Sequence, residues 1–204
     1  MAEPAQAADF TLARSEFILG GQKSGKSRRA EMLAKAWLTQ ASSGPGHQAV
    51  LIATAQAWDD EMRERIARHQ TDRAARVPGL RTVEEPLQLA QAVAAHSHPH
   101  TLIVVDCLTL WRTNLRMPAE SSGQKEAEPP ELRAQVATLL IAIERAAGPV
   151  VVVGNEIGLG VIPLGRETRA FVDALGQLNQ AVAQVCARVT FMAAGLPLTL
   201  KGRP

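Results

Sequence analysis

An α/β domain with a mainly parallel central sheet is the fold class that the chain predicts, on three observations. Short apolar runs rich in β-branched residues alternate with longer segments of helical period. Two of the runs, Leu102 to Val105 and Val150 to Val153, are apolar on both faces, as strands buried in a parallel sheet are. The chain has 204 residues, the size of one domain, and carries no internal repeat.

Taken in order, Phe17 to Leu19 is a short strand that ends in two glycines. Ser27 to Leu38 reads as a helix, with Ala30, Leu33, Ala34 and Trp37 on one face. Ser42 to His47 is a turn-rich linker, and Ala49 to Ala53 is the second strand. Asp59, Asp60 and Glu61 open a second helix, where acidic side chains suit the positive end of the helix dipole, and Glu64 to Arg68 continue it. Arg81 to Val83 is a short strand, and Pro86 opens a helix that runs to about Ala95. Thr101 to Val105 is a buried strand, followed by a helix over Leu108 to Leu115. Met117 to Pro130, rich in Pro, Ser, Glu and Gly, reads as a surface loop. Glu131 to Ala147 is an amphipathic helix, Val150 to Val153 a buried strand and Arg166 to Ala187 a helix. Val189 to Ala193 and Leu198 to Leu200 close the pattern. Residues 1–14 read as a flexible extension, and 15–204 as a single domain.

Composition bounds the function. The chain is 46% hydrophobic and 21% charged, which excludes wholesale disorder and a fibrous rod. Its 22 basic and 20 acidic residues nearly cancel, aromatics are 3% and tyrosine is absent. A nucleic-acid partner is therefore not expected, because neither a basic stripe nor a stacking surface is supplied. Two cysteines, Cys107 and Cys186, make no disulfide framework or zinc spacing, and a reducing compartment fits. No run is long and apolar enough to span a membrane, and the first residues lack the basic start of a secretory signal. A cytoplasmic location is the expectation.

The sharpest motif is Gly20, Gly21, Gln22, Lys23, Ser24, Gly25, Lys26 and Ser27, which satisfies G-x-x-x-x-G-K-[ST]. A strand precedes it and a helix follows, as the motif requires. Glycines let backbone N–H groups turn inward around phosphate oxygens, and the helix N-terminus adds partial positive charge. Lys26 is placed to neutralise the β and γ phosphates, and the Ser27 hydroxyl to ligate Mg²⁺. The partner acid is Asp106, just past the buried run Leu102 to Val105, where it is placed to hold Mg²⁺. Asp is also a favoured helix cap, so that role stays open beside the metal role. Glu84 and Glu85 follow a short strand and face either the nucleotide or solvent.

The segment from Thr54 to His69 begins where the second strand ends, on the ligand side of such a sheet. Met62, Ile66 and His69 share a helix face. Arg65, Arg68, Arg73, Arg76 and Arg81 cluster beyond the acidic start. Neutral imidazole is a competent nucleophile toward phosphorus, and an unperturbed pKa of about 6.5 leaves it mostly neutral above pH 7. A lone histidine beside Met and Ile on a helix is more often a packed or half-exposed residue than a catalyst, and spacing alone does not lift it out of that class. His47, His96, His98 and His100 lie in polar or turn segments and read as surface residues.

Six blocks in order, from about Phe17 to Lys201, give the chain a family resemblance. They are GGQKSGKSRRAE (20–31), LIATAQAWDDEMRERIARH (51–69), RTVEEP (81–86), VVDCLTLWRTNL (104–115), VVVGNEIGLGVIPLGRETRAFVDALGQLNQAVA (151–183) and AGLPLTLK (194–201). In these the chain resembles the CobU family of bifunctional adenosylcobinamide kinases / adenosylcobinamide-phosphate guanylyltransferases. The phosphate loop is shared by many families, whereas the DDEM…RIxxH block and GNEIGLGVIPLGR are far more specific.

The resemblance implies a P-loop NTPase (RecA-like) three-layer domain and two activities in one site. The kinase would phosphorylate the aminopropanol hydroxyl of adenosylcobinamide with ATP or GTP. The guanylyltransferase would form a GMP–histidine adduct from GTP and pass GMP to adenosylcobinamide phosphate, giving adenosyl-GDP-cobinamide. The family histidine falls on His69. Lys26 and Ser27 would bind phosphate and Mg²⁺. Thr54, Ala55 and Gln56 would line the nucleotide pocket, and Glu84 and Asp106 would contact nucleotide or metal. Asn155, Glu156 and Arg166 flank a glycine-rich loop, Gly158 to Gly160, which is either a substrate contact or a structural turn. A homotrimer is the implied assembly. Residues 76–80 are a few longer than the family pattern, and 117–130 is variable. A P-loop small-molecule kinase without guanylyltransferase activity is the principal alternative, and retention of the nucleotidyl transfer alone is a second.

Overall fold

The computed structural model describes residues 12–40, 46–115 and 129–203. The expected extension at 1–14 and the expected loop at 117–130 lie mostly outside these residues, as does most of the linker at 42–47. The chain runs β1 (Ser15–Gly20), α1 (Lys26–Thr39), β2 (Gln48–Ala53), α2 (Asp60–Arg76), β3 (Leu80–Glu84), α3 (Leu89–His96), β4 (Thr101–Asp106), α4 (Leu108–Asn114), α5 (Pro130–Arg145), β5 (Val150–Val153), α6 (Arg166–Val185), β6 (Arg188–Ala193) and β7 (Leu196–Lys201).

One seven-stranded sheet has the order β3-β2-β4-β5-β1-β6-β7. All neighbours are parallel except β6 and β7, which form an antiparallel hairpin. Strand side chains alternate between faces, and the core divides accordingly. Phe17, Val50, Ile52, Ile103, Val105, Val150 and Val152 face α3, α4, α5 and α6. Ile18, Ala49, Leu51, Leu102, Val104, Val151 and Val153 face α1 and Val77. Helices thus cover both faces of a mainly parallel sheet, which is the α/β arrangement that the alternating pattern predicts and the three layers that the resemblance implies.

Several boundaries differ from the sequence reading for local reasons. Helix α2 extends well past Arg68, to Arg76. The Asp59 side chain caps it by accepting from the Met62 N–H at 2.7 Å, and Arg73 and Arg76 in the last turn complement its dipole. Helix α3 starts at Leu89 and not at Pro86. The Glu85 carboxylate accepts from the N–H groups of Leu87 at 3.0 Å and Gln88 at 2.7 Å, which holds a turn open ahead of the helix. Among the described residues no helix is long and apolar enough to cross a membrane.

The topology positions the site. Strand β5 separates β1 from β4, with Ile18 and Asp106 both opposite Val153. Gly20 and Asp106 therefore leave the sheet at the same carboxyl edge, on strands two positions apart.

Candidate active site

The phosphate loop joins β1 to α1, and its glycines are sterically required. Gly20 has φ 153°, and a Cβ there would lie 2.4 Å from the Met192 carbonyl oxygen. Gly25, at φ 103°, caps α1, and its Cβ would stand 3.2 Å from the Gly195 Cα. The loop is thus backed by the end of β6 and the hairpin turn that follows. Lys26 is buried at the first position of α1, and its Nζ donates to the Gly21 carbonyl at 2.6 Å. Burial lowers its pKa, an effect that Cys107 and Asp106 oppose. The Ser24 hydroxyl is buried and has no hydrogen-bond partner among the described residues. Ser27 is half-buried in the first turn of α1.

Asp106 ends β4 with 22% of its side chain exposed, and its Oδ2 lies 3.7 Å from Arg73 Nη2. Burial raises its carboxyl above the ordinary value. Arg73, His69 and Lys26 act against that rise, and Glu31 acts with it. Residues 26, 31, 69, 73 and 106 thus share one electrostatic neighbourhood at the end of the sheet. The peptide bond between Asp106 and Cys107 is cis.

His69 is exposed on α2, one helical turn before Arg73. Arg73 is buried and also lies 3.9 Å from Glu31, measured from its Nε. One turn further on, Arg76 Nε and Nη2 donate to the two Glu31 oxygens at 2.7 and 2.9 Å. The His69 face of α2 is therefore joined to the phosphate-loop helix and to the acidic strand end. The adjacent face of α2 borders a groove of about 580 Å³, lined by Ala55, Gln56, Trp58, Ile66, Gln70 and Glu84 among others. Gln70 Nε2 donates to Glu84 Oε1 at 2.9 Å across it.

Ala55, Gln56 and Glu84 thus meet in one groove. Thr54 does not join them. Its side chain is fully buried, its hydroxyl donates to the Cys107 carbonyl at 2.7 Å, and it accepts from the Cys107 N–H at 2.9 Å. Its own carbonyl accepts from Asn114 Nδ2. Thr54 therefore fixes the end of β2 against the start of α4 and presents no atom to the groove. Glu85 is occupied in the turn before α3.

After β5, the Glu156 N–H donates to the Gly20 carbonyl at 3.1 Å, so this segment leaves beside the phosphate loop. The Asn155 N–H donates to Thr109 Oγ1, and Glu156 Oε1 accepts from the Gly158 N–H. The loop beyond exposes Leu159, Val161, Ile162 and Leu164, and Arg166 opens α6 at its end. Glu31 is the residue of this neighbourhood that sequence reasoning passes over, and Arg73 and Arg76, named there only as part of an arginine cluster, prove to be its partners. The available signals were the i, i+4, i+7 spacing of 69, 73 and 76, and the acid in GKSRRAE.

Comparison with known proteins fits this geometry. The family model described as cobinamide kinase / cobinamide phosphate guanyltransferase matches residues 16–200, nearly the whole described chain. The chain belongs to the CobU family. CobU relatives among characterised proteins are similar along almost their full length. The bifunctional adenosylcobalamin biosynthesis protein CobP of Pseudomonas aeruginosa is 46% identical over 192 residues, 93% of this chain and 98% of that protein. The bifunctional adenosylcobalamin biosynthesis proteins CobU of Escherichia coli and Salmonella typhimurium are 33% and 32% identical over 191 residues, 90% of this chain and 98% of each. The fold of the CobU family is that of a P-loop NTPase, in agreement with the sheet and loop described above.

Proposed function

We propose that this chain carries both activities of its family at one site, with His69 as the nucleophile of the nucleotidyl step. The observation that carries the reading is the gathering of Lys26, His69, Arg73 and Asp106 around the phosphate loop, from three separate segments of the chain. Lys26 in the loop, with the backbone N–H groups from Gly20 to Ser27, is suited to the phosphates of ATP or GTP. The Ala55, Gln56 and Glu84 groove is suited to the rest of the nucleotide.

The donor set fits Mg²⁺ by its chemistry: a hydroxyl in the first turn of α1 and a carboxylate at the end of β4 are the hard oxygen ligands that ion takes. Ser27 and Asp106 would hold it, and it would supply charge neutralisation on the phosphates. In the kinase step the loop and Lys26 orient the triphosphate. The acceptor hydroxyl of adenosylcobinamide then attacks the γ phosphorus and releases its proton to solvent, the bond to the bridging oxygen breaks and nucleoside diphosphate leaves. In the second step a His69 nitrogen attacks the α phosphorus of GTP, an N–P bond forms and pyrophosphate leaves. The phosphate of adenosylcobinamide phosphate then displaces His69, which yields adenosyl-GDP-cobinamide and restores the imidazole.

Residues 15–204 act as one catalytic unit in this reading, in the cytoplasm and without nucleic acid. A homotrimer is the assembly that the family resemblance implies, and the edge strand β7, with Leu196, Leu198 and Leu200 exposed at 71%, 59% and 58%, supports self-association without fixing its number. Light scattering on the purified protein reads the mass directly.

Incubation with α-labelled GTP, followed by peptide mapping, tests the chemistry. Acid-labile, base-stable label on the peptide containing His69 is the expected result. Label on another residue moves the nucleophile. Phosphorylation of adenosylcobinamide with no labelled protein leaves a P-loop kinase alone.

A further inference from the structure

We propose that Glu31 and Arg76 form the positioning pair of the nucleotidyl step, holding the His69 helix at the distance that lets its imidazole reach the α phosphorus. The inference rests on His69 being the nucleophile and adds the device that aims it. Neither residue touches the nucleotide in this reading, and both act through α2.

Helix α2 lacks the usual means of attachment. A surface helix is ordinarily held by a broad apolar stripe packed on the core. Among the described side chains of α2 only Arg73 is buried, and it is charged. The side chains that fix α2 at its C-terminal half are instead polar: Arg73 toward Asp106 and Glu31, Gln70 to Glu84, and Arg76 to Glu31. The last is the strongest of these by geometry. It is a two-pronged guanidinium–carboxylate pair, the kind that fixes orientation as well as distance. The Glu31 side chain is 6% exposed and that of Arg76 35%, so the pair is partly withdrawn from water. Removal of either partner leaves the other without its main counter-charge in a poorly solvated place.

The lever is short and stiff. Glu31 lies in the second turn of α1, the helix whose first residues, Lys26 and Ser27, hold the phosphates in the proposed reading. Arg76 lies two turns from His69 on the same face of α2. The carboxylate therefore ties the element that grips the triphosphate to the element that carries the nucleophile. A tilt of α2 about its remaining contacts moves His69 relative to the loop while leaving the loop in place. Displacement of a reacting group by about 1 Å costs on the order of 10²-fold in rate. Transfer of the γ phosphoryl group to an acceptor hydroxyl does not use His69 and does not feel that displacement.

The test is a split between the two reactions. In single-turnover labelling with α-labelled GTP, Arg76→Ala should slow His69 adduct formation by at least about 10-fold, with the KM for GTP near the wild-type value. Phosphorylation of adenosylcobinamide with ATP should stay within about twofold. Arg76→Lys, which keeps the charge but not the fork, should recover part of the labelling rate, and Glu31→Gln should fall between it and Arg76→Ala. Arg76→Ala labelled as fast as wild type, or both reactions falling in the same proportion, overturns the pair. Wild-type protein that carries no label on His69 overturns the underlying reading instead, and the two failures are told apart by that control.

Discussion

The backbone N–H of Gly195 donates to the Ser24 carbonyl at 3.0 Å, which bonds the turn between β6 and β7 to the phosphate loop. The loop is therefore not a free glycine-rich turn. It is pressed between β1 and the β6–β7 hairpin, and a side chain at Gly25 would crowd Gly195 and the Met192 side chain.

Gly25→Ala should accordingly weaken both reactions while leaving the fold intact. The added Cβ meets the Gly195 Cα at 3.2 Å, and φ 103° is a conformation that L side chains avoid. A left-handed residue costs about 1–2 kcal/mol, and the hairpin backbone has to shift as well. Calorimetric titration with a non-hydrolysable triphosphate should show at least about a tenfold loss of affinity. Unchanged binding would mean that the hairpin gives way freely.

His69→Ala and Lys26→Ala separate the shared machinery from the private. His69→Ala should lower guanylyl transfer by on the order of 10³-fold or more and leave part of the kinase activity, because the imidazole serves one step only. Lys26→Ala should weaken both, because one phosphate loop serves both. Steady-state rates with adenosylcobinamide and with its phosphate read the two reactions separately. A Lys26 variant impaired in only one of them would require a second triphosphate site.

Legibility in the sequence followed the range of the contacts. The phosphate loop was readable because its chemistry lies in one contiguous run, with Lys26 and Ser27 fixed by their place at the start of α1. The sheet was readable because each buried strand carries its own apolar signature, as Val150 to Val153 does. His69 was readable as a candidate, but its surroundings were not. Glu31, Arg73 and Asp106 come from three elements, and only the crossing of α2 over the carboxyl edge of the sheet unites them. Thr54 shows the converse. Its position after β2 suggests a pocket wall, yet a hydroxyl satisfies the backbone of Cys107 best when it points inward. Glu85 stopped the helix that Pro86 suggests, through side-chain bonds that no periodicity reports.

A second buried acid sets stability and not chemistry. Glu16, the second residue of β1, is fully buried and accepts from Arg29 Nε and Thr190 Oγ1, each at 2.8 Å, with Arg188 Nη1 at 3.5 Å. Glu16→Ala removes the carboxylate that compensates Arg29, whose side chain is itself largely withdrawn from water. The expected loss is about 3 kcal/mol, read as a lower urea midpoint, because breaking a buried pair strands the remaining charge. Glu16→Gln, which keeps two hydrogen-bonding atoms, should lose less. An unchanged midpoint for Glu16→Ala would mean that water replaces the carboxylate without cost.

The two cysteines give the chain a stability that declines in alkali, and the sign follows from their burial. Cys107 is pushed up from 9.0 to about 11 by burial, with Asp106 adding to the rise, and Cys186 from 9.0 to about 12 by burial. Between pH 9 and these values the unfolded thiols release their protons and the folded ones keep them. The folded state then binds more protons, so stability falls as pH rises through that window, by up to about 1.4 kcal/mol per thiol per pH unit. Lys26 works in the opposite sense, since its lowered pKa means that the folded state gives up its proton first. The informative comparison is therefore wild type against a Cys107→Ala, Cys186→Ala double variant, by urea unfolding at pH 8 and pH 10. The double variant starts from lower stability, because two packed side chains are trimmed, and should lose less of it between the two pH values. Thiol labelling gives an independent reading: burial holds the Cys107 thiol protonated well above the ordinary range, so native protein at pH 8 should react far more slowly than unfolded protein. Equal slopes in the two proteins, together with rapid native labelling, would place the thiols in water and remove the effect.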